Sequence, residues 1–219
     1  MRAHIVFANP THEGSTGRLL DAFVQGLDEA GVEHTLSDLY AMGFNPVLSA
    51  AEQAREARFA ADEPVPDDVR AEQAKLNAAD VWAFVYPVWW TDVPAILKGW
   101  FDRVWTVGYA YGPGHPEARA DDDDPGPDWP GIRRARRALV LCTAGHSEGQ
   151  LREWGCYQAM ETTMLVDRIF TRARSSQFVM FTGGADLPPE QRQAAREADL
   201  ARARQLGREA ASTEPRPAP

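Results

Sequence analysis

Three short stretches carry residue types suited to binding chemistry. The first, Asn9-Pro10-Thr11-His12-Glu13-Gly14-Ser15-Thr16-Gly17, is rich in small and hydroxylated residues and stands just ahead of a helical pattern. A helix start offers unpaired N–H groups and the positive end of a dipole, so together with the Ser15 and Thr16 hydroxyls it can hold a phosphate. The plainer alternative is that Ser15 only caps the helix. The sequence has no GxGxxG, which argues against a dinucleotide turn of that kind. The second stretch, Pro87-Val88-Trp89-Trp90-Thr91-Asp92, sets two adjacent indoles where they can form a flat aromatic wall. Here the alternative is that the tryptophans cap the core or meet a partner chain. The third, Thr143-Ala144-Gly145-His146, is a small-residue loop in which Gly145 leaves backbone N–H groups accessible.

Each stretch follows a segment that reads as a buried strand. Residues 4–8 form the first and residues 32–39 the second, joined by a helix whose Leu19, Leu20, Phe23, Val24 and Leu27 recur at helical spacing before Gly31. Residues 81–86 are almost unbroken apolar and read as a strand buried on both faces, ended by Pro87. Beyond Pro94 the period changes, and Ile96, Leu97, Trp100, Phe101, Val104 and Trp105 mark a helix. Residues 138–143 and 177–181 supply the fourth and fifth strands. Helices are expected over residues 149–159, 162–173 and from Asp186 or Pro188 to about Ala211.

Strands alternating with helices predict an α/β doubly wound five-stranded parallel sheet. In the flavodoxin-like order 2-1-3-4-5 the first and third strands are neighbours at the switch point, where ligands bind. The three loops then converge. A phosphate cradle, a flat wall and exposed N–H groups suit a flavin, which has a phosphate end and a planar ring edged with hydrogen-bonding atoms.

Two long connections stand outside this pattern. Ser49 is expected to cap a helix over residues 50–61, and Asp67 or Asp68 to open another reaching about Ala79. The apolar face of that second helix is thin, so it is expected to order partly against a partner chain. Residues 108–137 run from Tyr109 and Tyr111 to Asp121-Asp122-Asp123-Asp124, read as a solvated loop rather than a cation site, because ion sites draw ligands from defined spacings. Residues 212–219 are expected to be a disordered tail beyond one domain of residues 1–211.

Composition narrows the function. The net charge of −9 argues against a nucleic-acid surface, and no apolar stretch is long enough to cross a bilayer. Cys142 and Cys156 lie at no metal-ligand spacing, and the N-terminus has no signal-peptide pattern, so a cytoplasmic protein with no metal site is expected.

The segment YPVWWTDVPAILKGWFDRVW followed by Gly108-Tyr109-Ala110-Tyr111-Gly112, with Asp38-Leu39-Tyr40-Ala41-Met42-Gly43-Phe44-Asn45-Pro46 upstream, resembles two signatures of the NAD(P)H:quinone oxidoreductase family. The likeness runs from about Ile5 to Glu209. It implies a flavin, FAD ahead of FMN, and NAD(P)H as co-substrate, in a ping-pong hydride transfer to quinones or related acceptors. By the same resemblance, Asn9, Thr11, His12, Ser15, Thr16 and Gly17 hold the flavin phosphate. Pro87, Val88, Trp89 and Trp90 lie along the ring, largely through backbone groups. Thr143, Ala144 and Gly145 meet its pyrimidine side, Tyr111 lines the substrate pocket, and a homodimer shares that pocket between chains. The best-known members keep a tyrosine and a histidine after the fourth strand, whereas here those positions fall near Gln150 and Cys156. His146 and Tyr157 are stand-ins by proximity. Asn9 also replaces a frequent histidine. The rival functions are a flavodoxin-type electron carrier and a regulatory subunit of a potassium-efflux system.

Overall fold

The computed structural model describes residues 1–112, 134–210 and 212, and of Thr171 only the backbone. The Asp121–Asp124 run and residues 213–219 of the expected tail lie outside the described residues.

Strand β1 (Arg2–Phe7) leads to helix α1 (Ser15–Glu29) and β2 (Glu33–Asp38). Helices α2 (Ala50–Ala57) and α3 (Asp67–Asn77) precede β3 (Val81–Pro87), and α4 (Ala95–Val104) follows it. After β4 (Arg137–Thr143) come α5 (Glu148–Glu153), α6 (Cys156–Thr162), a π-helical stretch (Thr163–Ile169) and a short 3-10 turn (Phe170–Arg172). The chain closes with β5 (Ser176–Phe181) and α7 (Pro189–Glu209). The strands form one parallel sheet in the expected order β2-β1-β3-β4-β5.

The alternation along β3 explains why its apolar run is unbroken. Trp82, Phe84 and Tyr86 face a core shared with α4, α6 and the π-helical stretch, while Val81, Ala83 and Val85 face α1 and α7. A central strand covered on both sides has no wet face to make polar. The two helices of the second face cross at glycine. A Cβ on Gly26 would overlap the Arg204 carbonyl, and one on Gly207 would overlap that of Phe23. The buried indoles of the first face each find an acceptor, Trp82 Nε1 in Leu76 O (3.0 Å) and Trp105 Nε1 in Arg168 O (2.7 Å).

The thin apolar face of α3 is supplemented within the chain by polar contacts. Glu72 is fully buried and accepts from Trp100 Nε1 (2.9 Å), Ser37 Oγ (3.1 Å) and Lys75 Nζ (2.5 Å). Gln73 donates to Val104 O and Thr106 Oγ1, both at 3.0 Å. His4, also fully buried, joins this network through Thr35 (2.8 Å) and Ser37 (3.3 Å). Hydrogen bonds therefore dock a helix that has few apolar side chains to offer.

Three helices differ from the sequence pattern. Ser49 caps α2 as expected, in a capping box completed by Glu52, but α2 stops at Ala57, and Phe59 two residues on is left-handed (φ 52°). The pattern over residues 149–159 is cut at Gly155, whose φ of 73° ends one helix and starts another. The segment expected over residues 162–173 becomes the π-helical stretch, which keeps Met164, Leu165 and Ile169 buried, followed by the 3-10 turn, which leaves Phe170 exposed.

Candidate functional site

The loops after β1, β3 and β4 meet at the C-terminal edge of the sheet. Pro87 pairs with Thr143 in the β3–β4 register, Val88 N donates to Thr143 O (2.8 Å), and the Thr16 and Thr143 hydroxyls are 2.7 Å apart. Two hydroxyls sharing one bond leave one proton free, so this part-buried pair ties the first loop to the third and still has a donor to spare.

The first loop is built to present α1. Asn9 Nδ2 donates to Thr11 O (2.5 Å), Thr11 Oγ1 accepts from Glu13 N (3.0 Å), and His12 Nε2 lies 2.6 Å from Asp38 Oδ2 at the end of β2. Gly17 is obligatory, since a Cβ there would overlap the His12 carbonyl. No side chain caps α1, so the alternative that Ser15 serves as the cap does not hold, and the N–H groups of Ser15, Thr16 and Gly17 come before the first intrahelical acceptor. Gly14, at φ 90°, and Gly145 have open space where a side chain would stand.

The second loop is a tight hairpin. Trp89 N donates to Asp92 O (3.0 Å) and Asp92 N to Trp89 O (3.1 Å), with Trp90 (φ 52°) and Thr91 (φ 63°) both left-handed between them. Such a turn ordinarily carries Asn-Gly. A bulky and a β-branched residue there cost on the order of 1–3 kcal/mol each. The Trp90 indole is 100% exposed and Trp89 is exposed at 41%. Neither belongs to the core. Among the described residues, the N–H groups of Trp90 and Thr91 make no hydrogen bond.

The remaining predicted residues lie apart from this junction. His146 is exposed at the rim of the third loop, where its Nδ1 lies 3.0 Å from Gln150 Oε1 and its ring stands edge-on to Trp154 at 5.2 Å. The Gln150 side chain thus ties one ring nitrogen and leaves Nε2 on the open side of the loop. Tyr157 is buried between Phe178 and the Arg152 guanidinium, 3.6 Å from its ring centre, and burial pushes its phenol up to about 12. Tyr111 comes after the far end of α4, a helix of 10 residues, or about 15 Å at 1.5 Å per residue. There its hydroxyl donates to Glu56 Oε2 (2.6 Å), and burial followed by that carboxylate pushes its phenol also to about 12.

Two groups escape the sequence reading. A cavity of about 330 Å³ opens beside the first and third loops, with Ser15, Arg18, Arg192, Arg196 and Asp199 in its wall. Asp199 Oδ2 accepts from Gly183 N (2.8 Å), and burial raises its carboxyl. The adjacent pair Gly183-Gly184 after the fifth strand is the one sequence sign of it. The second group is Asp92 with Arg168, whose Nη1 is 3.2 Å from Asp92 Oδ1 although the two are 76 residues apart. Among the described residues there is no cluster of metal-ligating side chains and no helix long and apolar enough to cross a membrane.

The donor set fits a flavin. Uncapped N–H groups and arginines suit phosphates, and two adjacent free N–H groups suit the acceptor atoms of a ring edge.

Known proteins share the fold that brings these loops together. A solved NAD(P)H:quinone oxidoreductase from Methanothermobacter marburgensis superposes with a TM-score of 0.81 at 38% identity, covering 95% of this chain and 96% of that one. NAD(P)H dehydrogenase [quinone] 1 of Rattus norvegicus is 39% identical over 123 residues, 50% of this chain and 45% of the relative. An uncharacterised NAD(P)H oxidoreductase of Escherichia coli, YcaK, is 36% identical over 114 residues, 52% of this chain and 57% of the relative. The chain spans about half the length of the curated relatives it matches. The family described as a flavodoxin-like fold matches residues 1–206, and the chain belongs to it, grouping there with the NAD(P)H:quinone oxidoreductases.

Proposed function

We propose that the chain is a flavin-dependent NAD(P)H oxidoreductase that reduces quinones or related small acceptors. The observation that carries this reading is the junction of three loops stapled through Thr16, Thr143 and Val88, with uncapped N–H groups on one side and the free N–H pair of Trp90 and Thr91 on the other. A flavin held there by the α1 N–H groups and the 89–92 hairpin would supply two-electron redox chemistry between NAD(P)H and the acceptor.

The chain's own residues divide the remaining work. The start of α1 holds the first phosphate by its N–H groups. FAD is the cofactor favoured over FMN, because the cavity walled by Arg18, Arg192 and Arg196 gives a second phosphate and an adenosine group somewhere to go. Trp90 supplies the exposed flat wall, and His146 Nε2 is the group that exchanges a proton with the acceptor. Tyr111, turned away from its own junction, lines the pocket of a partner in a homodimer. The exposed Trp90, Trp154, Val166 and Phe170 support such a dimer as the surface it covers. Residues 1–211 act as one flavin-binding unit in the cytoplasm.

Flavin released from purified protein should be FAD at one per chain, and the protein should oxidise NAD(P)H in the presence of a quinone and scatter light as a dimer. A flavin-loaded protein with no such turnover would make it an electron carrier or a regulatory subunit instead. Colourless protein that takes up neither FAD nor FMN would refute the site altogether.

A further inference from the structure

We propose that Asp92 and Arg168 clamp the hairpin at residues 89–92 in its binding conformation, which makes both of them positioning residues. The proposal rests on the reading that this hairpin lies against the flavin.

The tip of the hairpin cannot hold itself. Trp90 and Thr91 are both left-handed, a conformation that neither residue favours, and the Trp90 indole packs on nothing. The shape must therefore be imposed from its ends. At the trailing end, Asp92 Oδ1 accepts from Val93 N (2.7 Å) as well as from Arg168 Nη1 (3.2 Å), fixing both the backbone and the direction of the carboxylate.

Arg168 is itself immobilised by the core. Its side chain is 6% exposed, its guanidinium lies 5.1 Å from the centre of the Phe101 ring, and Nη1 is 3.2 Å from Met164 Sδ. Its carbonyl accepts from Trp105 Nε1 (2.7 Å). Among the described residues Asp92 is the one carboxylate paired with this buried cation, so the pair has no second arrangement within reach. The π-helical stretch sets Arg168 one residue out of α-helical phase, and π-turns recur where a side chain is re-aimed. The rigidity of Phe101 and Trp105 is thus passed to a surface turn through one ion pair.

The test uses apo-protein of the full chain and flavin affinity, read by quenching of FAD and FMN fluorescence. Arg168→Met and Asp92→Asn should each weaken binding about tenfold, the scale of releasing one strained residue. Asp92 is half exposed, so Asp92→Asn keeps the fold even if Arg168→Met does not. The decisive variant is Thr91→Gly, because glycine adopts the left-handed conformation without strain. Added to Arg168→Met or to Asp92→Asn, it should restore affinity to within about threefold of the wild type. Wild-type affinity in both single variants overturns the clamp while leaving the flavin site intact. So does a loss that Thr91→Gly fails to rescue, which would mark general damage. Wild-type protein that binds neither flavin overturns the site reading and the clamp with it.

Discussion

Trp90 and Trp89 are adjacent, yet the structure exposes them to different degrees. Buried Trp→Ala changes cost roughly 3–5 kcal/mol, but Trp90 buries nothing and Trp89 only part of its indole. Trp90→Ala should leave the apo-protein melting temperature within the range of a neutral surface change, about ±0.5 kcal/mol. Its flavin or acceptor binding should weaken by the stacking contribution, about 0.5–1.5 kcal/mol beyond the area lost. Trp89→Ala should show the reverse balance, a small loss of stability with a weaker effect on binding. Both variants are read by thermal melting and flavin titration of the same samples. A fall in the melting temperature of Trp90→Ala as large as a core truncation would contradict its place in the site.

Among the loops and helices that frame the junction, two glycines separate fold from function. Gly17 lets α1 start against the His12 carbonyl, and Gly145 faces open space. Gly17→Ala must push the first loop off the helix, so apo-protein stability and flavin affinity should fall together, stability by about 1–3 kcal/mol as for other overpacked sites. Gly145→Ala meets no atom of the protein. It should leave the unfolding transition unchanged, yet weaken flavin binding several-fold if the ring or its substituents approach that backbone. Chemical denaturation with and without added FAD distinguishes the two patterns. Equal behaviour of the two variants would show that the third loop is not a binding surface.

Acid stability reflects the whole molecule, because the buried network around His4 joins β1, β2, α3 and α4. Burial holds the His4 imidazole at about 4, with the Glu72 carboxylate partly offsetting this and Lys75 adding to it. The unfolded chain binds the proton near the ordinary value of 6.5, so between 6.5 and 4 it takes up more protons than the folded one. Stability from this group is complete above pH 6.5, falls as the pH drops toward 4, and levels off below, for a total on the order of 3 kcal/mol. His4→Asn retains groups that can bond Thr35 and Ser37 but removes the titration. Its melting temperature should be lower than wild type at pH 7 and should change less between pH 6.5 and 5. A wild-type protein with a flat profile across that interval would contradict the assignment.

The sequence by itself determined the sheet and which loops share its C-terminal edge. Strands buried on both faces have no choice but to be apolar throughout, and Gly31 and Pro87 mark boundaries that local sterics enforce. Ser15, Thr16, Gly17, Thr143 and Gly145 could be placed at strand ends because the order of the strands fixes which loops share an edge. Only the tertiary structure decided the rest. The thin helix α3 is docked by Glu72 and Gln73, and a hydrogen bond between residues 28 apart leaves no periodic trace. Trp89 and Trp90 are indistinguishable by composition; the left-handed turn that exposes one fully depends on how Asp92 is held. Arg168 meets Asp92 across 76 residues, and the cavity beside α1 is closed by α7 from the other end of the chain. Apolar periodicity is a local property that survives in one dimension. Ion pairs, buried carboxylates and cavities arise where distant segments meet, and their partners are set by packing rather than by spacing along the chain.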